Sequence, residues 1–533
     1  MRGQWPRKCA SFCAWTCLLL PTALFSILPL FWLFSGVRAT ASDVSELLSR
    51  GTGAIIARTF ALGFLVVCLT TAMGVYFGYR LGSRLWPGRS AWIAFLVLPI
   101  AIPPYVLALG WTLLFRTGGP LGRSLSALGA DGPRITEFIY SFGGAVVVLS
   151  LAFFPIAFAF SAKACSMASP ALLETAQVFG AGRRQAFLAV YWPFIRPSAA
   201  ASAVIVFLLA IAELGVPTLL KVRVFNFEVF TQLSAFNNVN AALLLTLPLV
   251  MCGLVGAGLL QRVLAEQVRR DIQDIERPPL ASRNDTIVNA ALAGTLATLT
   301  FALPVGAVVS TGLNAAALSK MMRLAFQPAL NTLWYAGLAA AGMVGLAFLL
   351  AWTLREGHER LKRLTRAMLM AGFAIPGTIV ALALLSVYGN APLSRWFPAT
   401  VLVVAALCMR YQILAFEIMS TSLGELPKEL FDAAVLDGAG IGTLMWRIVL
   451  PWLRTPVLFA LALSFLFATN EIGSTLLLYP PGGETLPIAL FSIEANSPRA
   501  YVSALAILQT LLCSVPVILM MGVLWFHERR ERN

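Results

Sequence analysis

Pro170-Ala171-Leu172-Leu173-Glu174-Thr175-Ala176-Gln177-Val178-Phe179-Gly180-Ala181-Gly182 is answered later in the chain by Pro427-Lys428-Glu429-Leu430-Phe431-Asp432-Ala433-Ala434-Val435-Leu436-Asp437-Gly438-Ala439-Gly440. Each stretch opens with a proline, whose missing N–H costs nothing in the first turn of a helix, and closes on glycines that stop or bend one. Each continues into a second amphipathic segment, through Tyr191-Trp192-Pro193 and Arg196-Pro197 in the first copy and Val449-Leu450-Pro451 and Arg454 in the second. The expected structure is a helical knob too polar to cross a bilayer, with its second helix ending near Pro193 or Pro451. Ala176 and Ala434 are expected to keep one side of the knob flat, so that a cleft on another protein can approach the backbone closely. A single copy would pass for an ordinary loop. Two copies with matched glycines, prolines and arginines mark a repeated device.

The repeat extends outward from these stretches. A shift of 258 residues superposes Ala176 on Ala434, Gly180 on Gly438, Gly182 on Gly440, Pro193 on Pro451, Arg196 on Arg454, Glu213 on Glu471 and Gly215 on Gly473. Upstream the shift becomes 273, pairing Thr59 with Thr332 and Ile102-Pro103 with Ile375-Pro376, because the loop 116–138 is longer than its counterpart. The domain reading is a first half at 1–264, a linker at 265–285 that is polar and cytoplasmic, and a second half at 286–533.

Composition supplies the solvent for this architecture. Of 533 residues 59% are apolar and 12% charged, more apolar surface than a soluble core of this length hides. A membrane helix needs about 20 apolar residues, and apolar runs fall near 10–35, 54–79, 91–115, 139–162, 198–220, 240–262, 286–310, 331–354, 367–388, 398–420, 457–479 and 500–526. The fold class is therefore all-α and polytopic, with about twelve transmembrane helices in two tandem six-helix repeats. An even number of spans per half gives both copies the same topology, related by an axis along the membrane normal. With the N-terminus cytoplasmic, the inward connections and tails hold 26 Lys and Arg against 11 in the outward connections, which sets both termini and both knobs on the cytoplasmic side. The net charge of +15 follows from that bias and does not call for a nucleic-acid partner. The first run imitates a secretory signal ending at Ala39-Thr40-Ala41, but it is longer than a signal's apolar core, so a retained span is expected.

Few groups carry chemistry. The eight cysteines lie almost all within apolar runs and form no CxxC pair, so neither a disulfide framework nor a metal cage is expected. His358 and His527 fall in basic segments. No cluster supports catalysis, and no GxxxxGK[ST] phosphate loop is present. Gly253, Gly256 and Gly258 fit close helix packing better than phosphate binding. The charges inside the spans are informative because each costs about 2.5–3.5 kcal/mol to insert. Glu213 and Glu471, each about fifteen residues into the fifth span of its half, suit either a cation-friendly pathway or a local cap. Arg410 and Glu417 are expected to pair with each other. Pro103 and Pro376 break backbone hydrogen bonding in the third and ninth spans, as a bent helix lining a pathway requires.

The doubled knob resembles the cytoplasmic signature of the permease subunits of binding-protein-dependent ABC importers: Glu-Ala-Ala, three residues, Gly, then proline about thirteen residues on. Glu174-Thr175-Ala176 departs by one threonine and Asp432-Ala433-Ala434 by one aspartate. The resemblance covers the whole chain as two tandem copies. It implies the type I importer fold and a non-enzymatic role. Glu174, Ala176, Gly180, Gly182, Pro193, Asp432, Ala434, Gly438, Gly440 and Pro451 would couple to a separate ATPase, in two copies, that holds ATP and magnesium. Glu213, Glu471, Pro103 and Pro376 would flank the translocation path. A periplasmic solute-binding protein is the further partner, and the bacterial inner membrane the location. The segments 102–108, 119–122 and 471–486 are similar to those of fused ferric-iron permeases, although Tyr479 stands where those usually carry arginine. Thiamine, polyamine and phosphonate permeases share the plan. A secondary transporter with twelve spans would have no need of paired ATPase-docking knobs.

Overall fold

The computed structural model describes residue 31 and residues 50–532, apart from 117, 130, 169, 237, 269–279, 356–358 and 391–396. The expected first span, apart from residue 31, lies outside the described residues, as do Cys9, Cys13 and Cys17 and most of the linker. Among the described residues nine helices are long and apolar enough to cross a membrane, or eleven if each of two bent pairs is one span. Nine of the twelve expected spans are thereby matched by single helices, and two more coincide with the bent pairs.

In the first half these are α1 (Arg50–Gly82), the pair α2 (Arg89–Val97) and α3 (Pro104–Phe115), α4 (Phe142–Ser166), the knob helix α5 (Pro170–Val178), α6 (Trp192–Ala212) and α7 (Val239–Val268). Next come α8 (Arg283–Ala297) and α9 (Leu303–Gly312), which form one span, and α10 (Ala315–Leu354). The second half continues with the pair α11 (Glu359–Ala374) and α12 (Gly377–Asn390), α13 (Ala399–Gly424), the knob helix α14 (Lys428–Leu436), α15 (Leu450–Thr469) and α16 (Arg499–Arg532). Several starts have visible causes. Ser141 and Ser282 cap α4 and α8 by accepting from the backbone N–H of Gly144 and Asp285, supplying partners that a helix start otherwise lacks.

Packing does not follow the halves drawn in the sequence. One compact unit comprises Ala39–Arg323 with Leu490–Leu511, and the other includes Leu324–Ala489 with Leu512–Asn533. These compact units are not divided at 286. The reason lies in α8, whose Ala293, Leu296 and Ala297 are buried in a cluster with Leu81, Leu96, Phe154 and Phe158 of the first half. On α9 and its neighbours the backbones come equally close: a β-carbon on Gly110 would overlap Pro304, and one on Gly312 would meet the backbone of Ala504. Within the same unit Gly74, Gly78 and Gly82 form a stripe against Ala157, Ser161 and Ala162 of α4, the small-residue contact through which helices associate in lipid. Of the glycines expected to pack helices, Gly256 lies against Leu208, whereas Gly258 faces open space.

Matched hydroxyls tie each unit internally. Thr59 Oγ1 accepts the Phe225 N–H at 2.8 Å, and Thr332 Oγ1 accepts the Leu486 N–H at 2.7 Å. Both threonines are buried, so each satisfies a helix-start donor that has no water to turn to.

Candidate functional site: coupling knobs and broken spans

The two knobs are built alike. In the first, α5 ends at Gly180 with φ +77°, and the Ala181 N–H returns to the Ala176 carbonyl at 2.9 Å. In the second, α14 ends at Gly438 with φ +75°, and the Ala439 N–H returns to the Ala434 carbonyl at 2.9 Å. This is the left-handed helix stop that glycine adopts without a β-carbon clash. Gly182 and Gly440 then cap the short helices Arg183–Ala186 and Ile441–Leu444. Glu174 and Asp432 are exposed on the knob helices.

The expected helix end at proline does not occur. Residues Phe187–Tyr191 and Met445–Val449 form π turns, and the helix then runs through Pro193 and Pro451 into α6 and α15. Trp192 donates to the Phe187 carbonyl and Leu450 to the Met445 carbonyl, a shift of one residue that accommodates a ring lacking an N–H. The same turn, Thr298–Ala302, precedes Leu303-Pro304. The fifth spans therefore begin inside the knobs, at Arg184 and Ile441, and end at Ala212 and Thr469. Each is one continuous rod.

The flat alanine of the first knob turns inward. Ala176 packs with Val75 and Tyr79 against the cluster of Cys165, Leu173, Val190, Tyr191 and Ile195, so it lets the knob approach its own chain. Beside the carboxylates of Glu174 and Asp432 the knobs expose large apolar side chains: Val178 and Phe179 are 85% and 86% exposed, and Leu436, Ile441 and Trp446 are 86%, 79% and 75% exposed. Arg355 anchors the second knob, with its guanidinium 3.9 Å from the Phe431 ring centroid and Nη2 donating to the Leu426 carbonyl at 2.9 Å.

Pro103 and Pro376 mark full breaks. The flanking helices turn by 93° in the pair at 89–127 and by 104° at α11 and α12, far more than a proline kink. Glu213 and Glu471 are not within their spans either; they follow the last turn of the fifth rods. Glu213, partly exposed, accepts the N–H groups of Gly215 and Val216 and so caps the short helix Gly215–Leu219. Glu471, 5% exposed, accepts from Arg410 Nη1 at 2.7 Å, from the Tyr411 hydroxyl at 2.5 Å and from the Ser474 N–H at 2.8 Å. A β-carbon on Gly377 would overlap both Glu471 and Arg410, which places this pair directly on the break between α11 and α12. The expected Arg410–Glu417 pair is therefore replaced. Glu417 pairs with Arg366 on α11, and Arg410 with Glu471. Sequence spacing along α13 favoured the near carboxylate; tertiary packing supplied the distant one. Among the described residues no group of His, Cys, Asp and Glu could hold a metal ion.

Comparison with known proteins agrees with this architecture. Residues 343–530 match the family described as the binding-protein-dependent transport system inner membrane component. The chain is 25% identical over 523 residues to the ferric transport system permease protein FbpB of Actinobacillus pleuropneumoniae, covering 93% of this chain and 74% of that one. It is 26% identical over 496 residues to the putative ferric transport system permease protein FbpB 1 of Haemophilus influenzae, covering 87% and 77%. A shorter stretch of 152 residues is 31% identical to the putative 2-aminoethylphosphonate transport system permease protein PhnV of Salmonella typhimurium, covering 28% of this chain and 54% of that one. With its doubled knobs and repeated rods, the chain is similar over nearly its whole length to permeases of binding-protein-dependent import, carries the inner membrane component domain of that family at residues 343–530, and among its described residues has at least nine helices long and apolar enough to cross a membrane.

Proposed function

We propose that this permease carries ferric iron from an exported solute-binding protein into the cytoplasm, driven by a separate ATPase that docks one copy on each knob. Both termini and both knobs then face the cytoplasm, and ATP and magnesium belong to the partner. The observation that carries the coupling reading is the continuity of each rod. A 29-residue helix from Arg184 to Ala212 or from Ile441 to Thr469 spans about 43 Å, so force applied at the exposed knob reaches the Glu213 or Glu471 turn without a hinge. The iron reading rests on the relatives that match nearly the whole chain. Glu213 adds to it as a partly exposed carboxylate, whereas the charge of Glu471 is balanced by Arg410. An aminoethylphosphonate-like cargo is the second reading, favoured by the 152-residue likeness.

Uptake in a deletion strain decides between cargoes. Radiolabelled ferric iron uptake is expected to fall to background and to return with the intact gene. Loss of thiamine or 2-aminoethylphosphonate uptake with iron unaffected rejects the iron reading. For the division of labour, the purified chain is expected neither to bind nor to hydrolyse ATP until its ATPase is added. Saturable ATP binding by the chain alone rejects it.

A further inference from the structure

Alongside the first knob, α1, α6 and α8 enclose a cleft of about 810 Å³ within one compact unit. Its walls differ sharply from end to end. Toward the middle of the spans it is lined by Cys68, Ala72, Val75, Tyr76, Trp192 and Ala203. Toward the knob it is lined by Arg80, Arg84 and Arg184, with Asp285 and Asn289 of α8 opposite. Asp285 balances part of that charge, since its carboxylate pairs with Arg84 at 2.6 Å and Arg80 at 3.5 Å and accepts from Ser282. Three guanidinium groups against one carboxylate leave two positive charges at the polar end. Asn289 is 1% exposed, and its Oδ1 has no hydrogen-bond partner, as is also true of Thr71 Oγ1 on the opposite wall. A buried amide oxygen without a donor is costly, so the site is incomplete as it stands.

A ligand that completes it needs an anionic group for the arginines, a polar region deep enough to reach Asn289, and hydrocarbon for the apolar wall. A soluble anion supplies only the first. We propose that the cleft seats an anionic phospholipid of the phosphatidylglycerol class, its phosphate held by Arg80, Arg84 and Arg184 and one acyl chain lying along α1. Guanidinium groups suit phosphate because they bind it with paired hydrogen bonds, and basic pockets between spans at the cytoplasmic face hold anionic head groups. Arg184 also lies on the short helix that leads into the first rod, so the bound lipid braces α8 against the knob. Assignment to the cytoplasmic leaflet rests on the orientation proposed above; the seat itself does not.

The test is thermal unfolding of the full-length chain, purified in detergent and stripped of lipid, during titration with short-chain phosphatidylglycerol. Phosphatidylcholine of the same chain length and inorganic phosphate serve as the other two probes. A saturable rise in Tm with phosphatidylglycerol alone is expected. Arg84→Gln with Arg184→Gln is expected to weaken the apparent affinity about thirtyfold, from the usual worth of two basic residues near anionic lipid. Ala72→Trp, which fills the apolar wall, gives a second variant should the arginine pair fail to fold, and it is expected to abolish the rise. An equal rise with phosphatidylcholine, a rise with inorganic phosphate, or an undiminished rise in either variant overturns the proposal.

Discussion

Glu213-Leu214-Gly215 and Glu471-Ile472-Gly473 close the same rod in the two halves and are used differently. In both, the glutamate folds forward to accept backbone N–H groups of the following turn, so the cap is common property of the repeat. In the second copy a buried arginine and a tyrosine hydroxyl join the glutamate. The 258-residue shift places Ala152 and Phe153 where α13 carries Arg410 and Tyr411. The second turn is thereby locked to the broken span at Gly377, while the first keeps a partly exposed carboxylate. Duplication preserved the backbone device and let the side-chain environment diverge, which gives the fused chain one rigid and one accessible turn.

The largest effect is expected where the copies are alike. Gly180→Glu with Gly438→Glu puts a charged side chain at a left-handed position on each proposed docking surface, where neither glycine has an atom within 4 Å of its would-be β-carbon. Uptake is expected to fall to background while the chain still appears in the membrane fraction, as immunoblotting would show. Normal transport in the double variant removes the coupling role. Each single variant is expected to impair uptake to a similar degree, and a large inequality would extend the asymmetry from the turns to the knobs.

The next effect separates the copies. Glu471→Gln leaves Arg410 buried without its counter-charge, a loss of about 3–5 kcal/mol, and is expected to lower Tm sharply. Arg410→Met with Glu471→Leu is expected to recover much of that loss, because replacing both members of a buried pair costs far less than removing one. If Glu471→Gln is no more harmful than Glu213→Gln, the claim of one locked and one accessible turn fails.

Much of this was legible in the residues. The knobs follow from proline, alanine and glycine at local spacings, and the spans follow from apolar length, so both could be placed without tertiary information. The glutamates were found but set within the helix, because Ala212 and Thr469 give no composition signal where the rod stops; the stop comes from the glutamate's own cap. The Arg410–Glu471 pair joins residues 61 apart on different helices, beyond any periodicity argument. The π turns were available in principle, since all three precede a residue followed by proline, but prolines such as Pro155 and Pro197 also sit within helices, so proline alone is no signal. The packing of α8 with the first half is likewise invisible to a repeat, which records descent of the segments and not their neighbours.

A smaller pair of substitutions checks the frame in which the turns are compared. Thr59→Val and Thr332→Val each remove the acceptor for a helix-start N–H, at Phe225 or Leu486. Each is expected to cost about 1–3 kcal/mol, the range for a buried donor left unsatisfied, and the two losses in Tm are expected to agree. Agreement here, with disagreement at Glu213 and Glu471, localises the divergence to the turns. Unequal losses would mean that the halves differ throughout, and the contrast at the glutamates would lose its meaning.

The smallest structural effect is expected from Glu213→Gln, and it is the most informative about cargo. The amide oxygen of glutamine can still accept from Gly215 and Val216, so the cap on Gly215–Leu219 survives and the change in stability is expected to stay below about 1 kcal/mol. Charge is then the only property removed, at a side chain that solvent partly reaches. A transit site binds its ion weakly enough to release it, so neutralising it lowers occupancy without blocking the route. Iron uptake is therefore expected to slow several-fold at limiting iron and to recover at high iron, with unchanged assembly on the ATPase. An unchanged uptake curve would show that Glu213 is only a cap, and the first turn, although more open than the second, would carry no part of the path.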